Sequence, residues 1–176
     1  MGYKNYDDKW KSTETLVRNL IDVASKNGNF LLNIGPKADG EFPQESIERL
    51  KQIGDWMKLN GEAVYGTKGS PLSELSWGRC TQKPLENSTI LYLCVFDWPK
   101  DGKLIMNDFS NKVISCKLLE TNAKLNSTVI NNTLEIQIPK IMPNKIATVI
   151  KLEVAGNVIR PQTLNQGKKM KTGALD

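Results

Sequence analysis

The segment Gly28-Asn29-Phe30-Leu31-Leu32-Asn33-Ile34-Gly35-Pro36 constrains the fold of this chain more than any other. Residues 30 to 34 form an almost wholly apolar run, the pattern of a strand buried on both faces of a parallel sheet. Gly28 and Gly35-Pro36 bracket it. Upstream, residues 12 to 27 place Leu16, Val17, Leu20, Ile21, Val23 and Ala24 along one helical face. Ser12 or Thr13 is the expected N-cap, and Asn27-Gly28 the stop, with glycine supplying the left-handed residue. Downstream, Pro43 suits the first position of a second helix, which carries Ile47, Leu50, Ile53, Trp56 and Met57 at helical spacing through to Asn60-Gly61. Helix, strand, helix is the repeating unit of an α/β barrel. One such unit closes nothing, and its lone strand has two unpaired edges.

From Gly66 the texture changes. Gly66-Thr67-Lys68-Gly69-Ser70-Pro71 reads as a connector, and beyond it helical spacing gives way to alternation. Short strands are predicted over residues 78 to 82, 89 to 96, 103 to 106, 113 to 119, 128 to 130, 134 to 138 and 147 to 154. Turn residues such as Lys100-Asp101-Gly102 and Asn131-Asn132 separate them, which argues for an antiparallel β-sandwich. The fold class expected is therefore α/β plus all-β: a partial (β/α)8 barrel segment followed by a sandwich. The division is 1–66 for the barrel segment, 67–155 for the sandwich and 156–176 for a polar, unpatterned tail.

Composition narrows the function. A formal charge of +5 raises nucleic-acid binding, but part of it lies in Gly167-Lys168-Lys169-Met170-Lys171 and the rest is interspersed with acids, so no basic stripe forms and nucleic acid is not an expected partner. No apolar run approaches the roughly 20 residues of a membrane span, and residues 1 to 10 lack the apolar core of a secretory signal. The absence of histidine excludes a histidine-containing zinc site and every histidine-based triad. Cys80, Cys94 and Cys116 are widely spaced; they read as buried small hydrophobes, with one disulfide open as an alternative. Neither metal nor cofactor is expected.

Residues at the C-terminal end of a barrel strand face the active site, which places Asn33 and the loop 35 to 40 on a catalytic mouth. Asn33 is a candidate for a sugar hydroxyl, or alternatively a buried amide serving the loop backbone. A glycosidase needs two carboxylates. Asp7, Asp8, Asp39, Glu41 and Glu62 are available, yet Asp7 and Asp8 suit a helix start, Asp39 a turn and Glu62 a helix stop. Among the aromatics Tyr3, Tyr6, Trp10, Trp56, Tyr65, Trp77 and Trp98, only Tyr3 and Trp10 come early enough to lie near the mouth, where packing on the neighbouring helix competes. Asn87, Asn126 and Asn131 begin Asn-X-Ser/Thr triplets, as chance provides in a chain rich in these residues.

Taken together, Gly2-Tyr3, Trp10-Lys11-Ser12, Val23-Ala24-Ser25-Lys26-Asn27-Gly28-Asn29, Leu31-Leu32-Asn33-Ile34-Gly35-Pro36 and Asn60-Gly61-Glu62-Ala63-Val64-Tyr65-Gly66-Thr67 resemble the C-terminal portion of family 29 glycoside hydrolases, the α-L-fucosidases. Trp77-Gly78-Arg79-Cys80-Thr81 and Phe96-Asp97-Trp98-Pro99-Lys100-Asp101-Gly102-Lys103 look like the sandwich that follows the barrel in bacterial members. The resemblance covers roughly residues 2 to 155. It implies a retaining exo-glycosidase that releases terminal L-fucose from glycans, using an Asp nucleophile and a Glu acid/base, and a periplasmic or extracellular setting. Both catalytic acids belong to upstream polypeptide and have no counterpart here, so no catalytic residue is assigned. The family's aromatic residue before Gly-Tyr is replaced by Met1. Tyr3 and Asn33 remain the substrate-binding candidates, the fucosylated glycan is the partner of an intact enzyme, and this chain alone is expected to be inactive. The alternative is a non-catalytic carbohydrate-binding or interface module in the sandwich. Unpartnered helix faces allow self-association through the incomplete barrel.

Overall fold

A computed structural model describes residues 9–158. Helix α1 spans Thr13–Ser25 and helix α2 Gln44–Asn60, the latter running into a 3-10 turn at Gly61–Ala63. The remaining elements are strands: β1 Lys68–Gly69, β2 Gly78–Pro84, β3 Ser88–Val95, β4 Lys103–Met106, β5 Val113–Leu118, β6 Ser127–Ile130, β7 Thr133–Gln137 and β8 Thr148–Ala155. The protein is thus a mixture of helices and antiparallel sheets.

Ser12 caps α1 as its sequence requires, its Oγ accepting from the Thr15 amide at 3.1 Å. At the other end the expectation needs correction. Asn27, not Gly28, takes the left-handed conformation, with φ 58°. Asparagine tolerates that region, and Gly28 is free to donate its amide to the Val23 carbonyl at 2.9 Å. Glycine is needed at 28 for space: a Cβ there would lie 2.8 Å from Val23 Cγ1.

Residues 30 to 34 form no strand. The helix-strand-helix reading fails at its middle term because no neighbouring strand pairs with this segment, and a strand without a ladder leaves its backbone groups unpaired. Leu31 is 89% exposed, while Phe30, Leu32 and Ile34 are half-buried outside any sheet.

The strands form a five-stranded sheet in the order β1-β2-β3-β8-β5 and a three-stranded sheet in the order β4-β7-β6, with every pairing antiparallel. Strand β3 is the centre of the larger sheet and is buried at every residue. Alternation divides its side chains between two cores. Leu91, Leu93 and Val95 join Leu152 and Val154 of β8 and Leu104, Leu134 and Ile136 of the smaller sheet in one apolar cluster. Ile90, Tyr92 and Cys94, with Val149, meet Val17 and Ile21 of α1, Trp56 of α2 and Ala63. The helices therefore cover the face of the larger sheet that the smaller sheet leaves open.

Directional bonds reinforce this packing. Arg18 Nε donates to the Ile146 carbonyl at 2.9 Å and its Nη2 to the Phe96 carbonyl at 3.1 Å, while the guanidinium lies 5.1 Å from the centre of the Phe96 ring. Trp56 Nε1 donates to the Ala147 carbonyl at 3.0 Å, and Arg79 Nε reaches Asp22 Oδ1 at 2.5 Å. The Ser70 amide donates to the Ser25 carbonyl at 2.7 Å. The Gly69 amide donates to Asn27 Oδ1, pinning the end of α1 to β1.

Candidate substrate-facing surface and docking turn

Tyr3, Tyr6, Asp7 and Asp8 lie outside the described residues. Asn33 is exposed and lines a hollow of about 120 Å³ with Trp10, Leu16, Leu32, Ile34 and Arg49 among its neighbours. The hollow brings together the approach to α1, the segment after it and the first turns of α2. Trp10 is not open to a ligand on both faces, because the Arg49 guanidinium lies 5.6 Å from its ring centre. Arg49 is itself fixed, donating from Nε to the Lys11 carbonyl at 2.7 Å and from Nη1 to the Glu45 carbonyl at 2.9 Å. Packing against the neighbouring helix is thus the role that Trp10 fills.

The remaining candidate carboxylates serve the structure. Asp39 Oδ1 accepts from the Glu41 amide at 3.0 Å, closing the turn around Gly40, and Lys37 Nζ lies 3.3 Å from both Asp39 and Glu41. The Glu41 amide, followed by Lys37, holds the Asp39 carboxyl below its usual range, and the same two acids hold the Lys37 ammonium above its own. Neither acid lines the hollow around Asn33.

Glu62 belongs to a docking turn on the sheet side. Its Oε1 accepts from Tyr92 Oη at 2.7 Å and from Lys151 Nζ at 2.5 Å. Burial pushes the Glu62 carboxyl up, but the bonds from Lys151 and Tyr92 together outweigh it and leave the group below its ordinary value. Thr81 Oγ1 donates to the Ala63 carbonyl at 2.6 Å, and Asn60 Nδ2 donates to Glu120 Oε1 at 2.7 Å. Glu120 Oε1 also accepts from Asn144 Nδ2 at 2.6 Å. The Asn60-Gly61-Glu62-Ala63 motif is therefore spent on anchoring α2 to β2, β3 and β8. Sequence reading recognised the motif but gave no partners for it, since those partners lie 18 to 89 positions away.

The three cysteines are free and buried, so the disulfide alternative is not realised. Cys94 lies in the core under the helices, on the opposite face of the sheet from Cys80 and Cys116, which share the core between the sheets. Among the described residues no group of three or more His, Cys, Asp or Glu side chains could hold a metal ion, and no helix is long and apolar enough to cross a membrane.

Two sequence models of one hydrolase family match consecutive parts of the chain: Alpha-L-fucosidase over residues 1–62 and Alpha-L-fucosidase C-terminal domain over residues 79–153. Among curated proteins, plasma alpha-L-fucosidase of Rattus norvegicus is 39% identical over 98 residues, which is 53% of this chain and 20% of that protein. Alpha-L-fucosidase of Dictyostelium discoideum is 31% identical over 109 residues, 61% of this chain and 23% of that protein. Among solved structures, alpha-L-fucosidase isoenzyme 1 from Paenibacillus thiaminolyticus superposes with a TM-score of 0.79 and 36% identity, covering 87% of this chain and 37% of its own. A GH29 alpha-L-fucosidase from Bacteroides thetaiotaomicron gives a TM-score of 0.78 and 28% identity over 87% of this chain and 34% of its own. The family models and the relatives define a class, the glycoside hydrolases. Within it, the chain belongs to the α-L-fucosidase family, and it spans between about a fifth and two fifths of the length of these relatives.

Proposed function

We propose that this chain supplies the C-terminal part of an α-L-fucosidase, a retaining exo-glycosidase that releases terminal L-fucose from glycans. Residues 1–66 are the last segment of its (β/α)8 catalytic barrel, residues 67–155 a β-sandwich and residues 156–176 a tail. The observation that carries this reading is the ordered match of the two family models, joined to a structural likeness over 87% of the chain that reaches only 37% of the Paenibacillus enzyme. The catalytic groups of a barrel enzyme come from the ends of several different strands. The described residues provide no barrel strand at all.

The chain by itself is accordingly inactive, since loss of essential catalytic groups costs several orders of magnitude in rate. Tyr3 and Asn33 contact the sugar only in the assembled enzyme. Purified chain incubated with an aryl α-L-fucoside is expected to release no aryl alcohol above background. Turnover comparable to that of an intact family member overturns the proposal.

The surface that would meet the rest of the barrel is apolar: Leu31, Phe42, Ile47 and Leu50 are all exposed. Isolated chains self-associate through it, and sedimentation velocity over a concentration series measures this. A monomer at every concentration refutes the self-association.

A further inference from the structure

We propose that the hollow between residues 72 to 77 and the β4–β5 connection binds a single pyranose sugar. It is a site separate from the surface discussed above, shares no lining residue with the hollow around Asn33, and does not depend on the barrel reading. The hollow measures about 360 Å³, near the lower end of the roughly 300–1,000 Å³ typical of small-molecule sites. Its lining is mainly polar, from Glu74, Ser76, Asn107, Asp108 and Ser110, with apolar contact from Leu72, Leu75, Ile105 and Val158 over the buried Trp77 and Phe109.

These rim groups are unspent by the fold: none of their side chains makes a hydrogen bond or ion pair among the described residues. Other bonds hold the walls. Trp77 Nε1 donates to the Ile105 carbonyl at 3.0 Å, joining the two sides of the hollow, and the Trp77 carbonyl accepts from the Phe96 and Asp97 amides. The Phe109 amide donates to the Asn132 carbonyl at 2.8 Å, and Asn111 Nδ2 to the Ala155 and Asn157 carbonyls. The backbone walls of the hollow are fixed by these bonds, so binding has only the rim side chains to order.

The rim chemistry selects the ligand. Two carboxylates can only accept, while Asn and Ser both donate and accept. No lysine or arginine lines the hollow, which disfavours phosphates and carboxylates. A sugar presents hydroxyl donors around an apolar ring face, matching these acceptors beside the aliphatic side chains of Leu72, Leu75 and Ile105.

The test is an amide NMR titration of the full chain with L-fucose, D-galactose and D-glucose, with spermidine in parallel. At least one sugar is expected to give saturable, millimolar shifts confined to residues 74 to 77 and 106 to 111 and to the Trp77 indole. The double variant Glu74→Gln, Asp108→Asn is close to isosteric, and the second change suits the left-handed backbone there, with φ 55°. It is expected to weaken binding by about tenfold or more. Should it unfold, Glu74→Gln alone, on an exposed position, carries the same comparison. Absence of saturable shifts with all three sugars, saturation by spermidine only, or unchanged affinity in the variant overturns the proposal.

Discussion

Tyr92 Oη and Glu62 Oε1 stand 2.7 Å apart, so a phenol rooted in the middle of the central strand holds the turn that ends α2. Lys151 Nζ reaches the same oxygen at 2.5 Å. Burial first, and then the adjacent carboxylate, push the Tyr92 hydroxyl well above the usual phenol range, so it remains a donor at every ordinary pH. The carboxylate is the group that titrates.

Because Glu62 is held below its unfolded value, its contribution is fully present above the ordinary carboxylate range, about pH 4.3, and is lost as pH falls through the folded value. Its side chain is 44% exposed, so the interaction is screened and contributes about 1 kcal/mol, not the sum of two charged bonds. Unfolding free energies from urea denaturation of the wild type and Glu62→Gln should differ by that amount near pH 7 and converge once the pH has fallen below the lowered folded value of Glu62. A difference that persists unchanged in acid would show that packing, not charge, holds this turn.

Trp56 combines volume with a single donor. It is 2% exposed and its Nε1 bonds the Ala147 carbonyl. Trp56→Phe keeps much of the apolar contact but orphans that carbonyl, at a cost of about 1–3 kcal/mol. Trp56→Ala should cost about 3–5 kcal/mol. Equilibrium denaturation distinguishes the two; equal losses would mean that the lost hydrogen bond, and not the ring volume, accounts for the whole effect.

Two glycines should respond with opposite signs. A Cβ at Gly78 would sit 2.0 Å from the Cys94 carbonyl oxygen, a backbone atom of the paired strand that cannot swing aside. Gly78→Ala is expected to destabilise by about 3 kcal/mol or more. Gly54, inside α2 with nothing within 4 Å of such a Cβ, should gain about 0.5–1 kcal/mol on the same change. Melting temperatures of the two variants check both.

The thiols should be silent in the folded protein. Burial raises all three, Cys94 and Cys116 to about 12, and the reactive thiolate is correspondingly scarce. A chromogenic disulfide reagent is expected to label none of them rapidly in the native state and all three after denaturation. Fast native labelling at any one would reveal an opening of its core.

The sheets were more readable than the helical part. All seven predicted strands match observed ones to within two residues, because alternation at positions such as Leu91, Leu93 and Val95 reports directly on a half-buried or central strand. The missed strand, β1, has only two residues and no pattern to detect. Residues 30 to 34 misled for the opposite reason: their composition encodes a strand, but pairing requires a neighbour that sequence reading cannot supply. The anchoring roles of Asn60, Glu62 and Arg18 depend on carbonyls and acids far along the chain, which spacing along the sequence does not reveal. The rim of the larger hollow escaped notice because Ser76, Asn107 and Asp108 look like ordinary turn residues until the fold gathers them.

Strand β3 offers no residue to water anywhere between Ser88 and Val95. Cutting the polypeptide at the apparent connector near residue 67 would strip one side of that strand, turning Ile90, Tyr92, Cys94 and Val149 outward at once. Strand pairing would survive such a cut, but solubility would be the first casualty. The helices, whatever else they join, act as the varnish on this sheet.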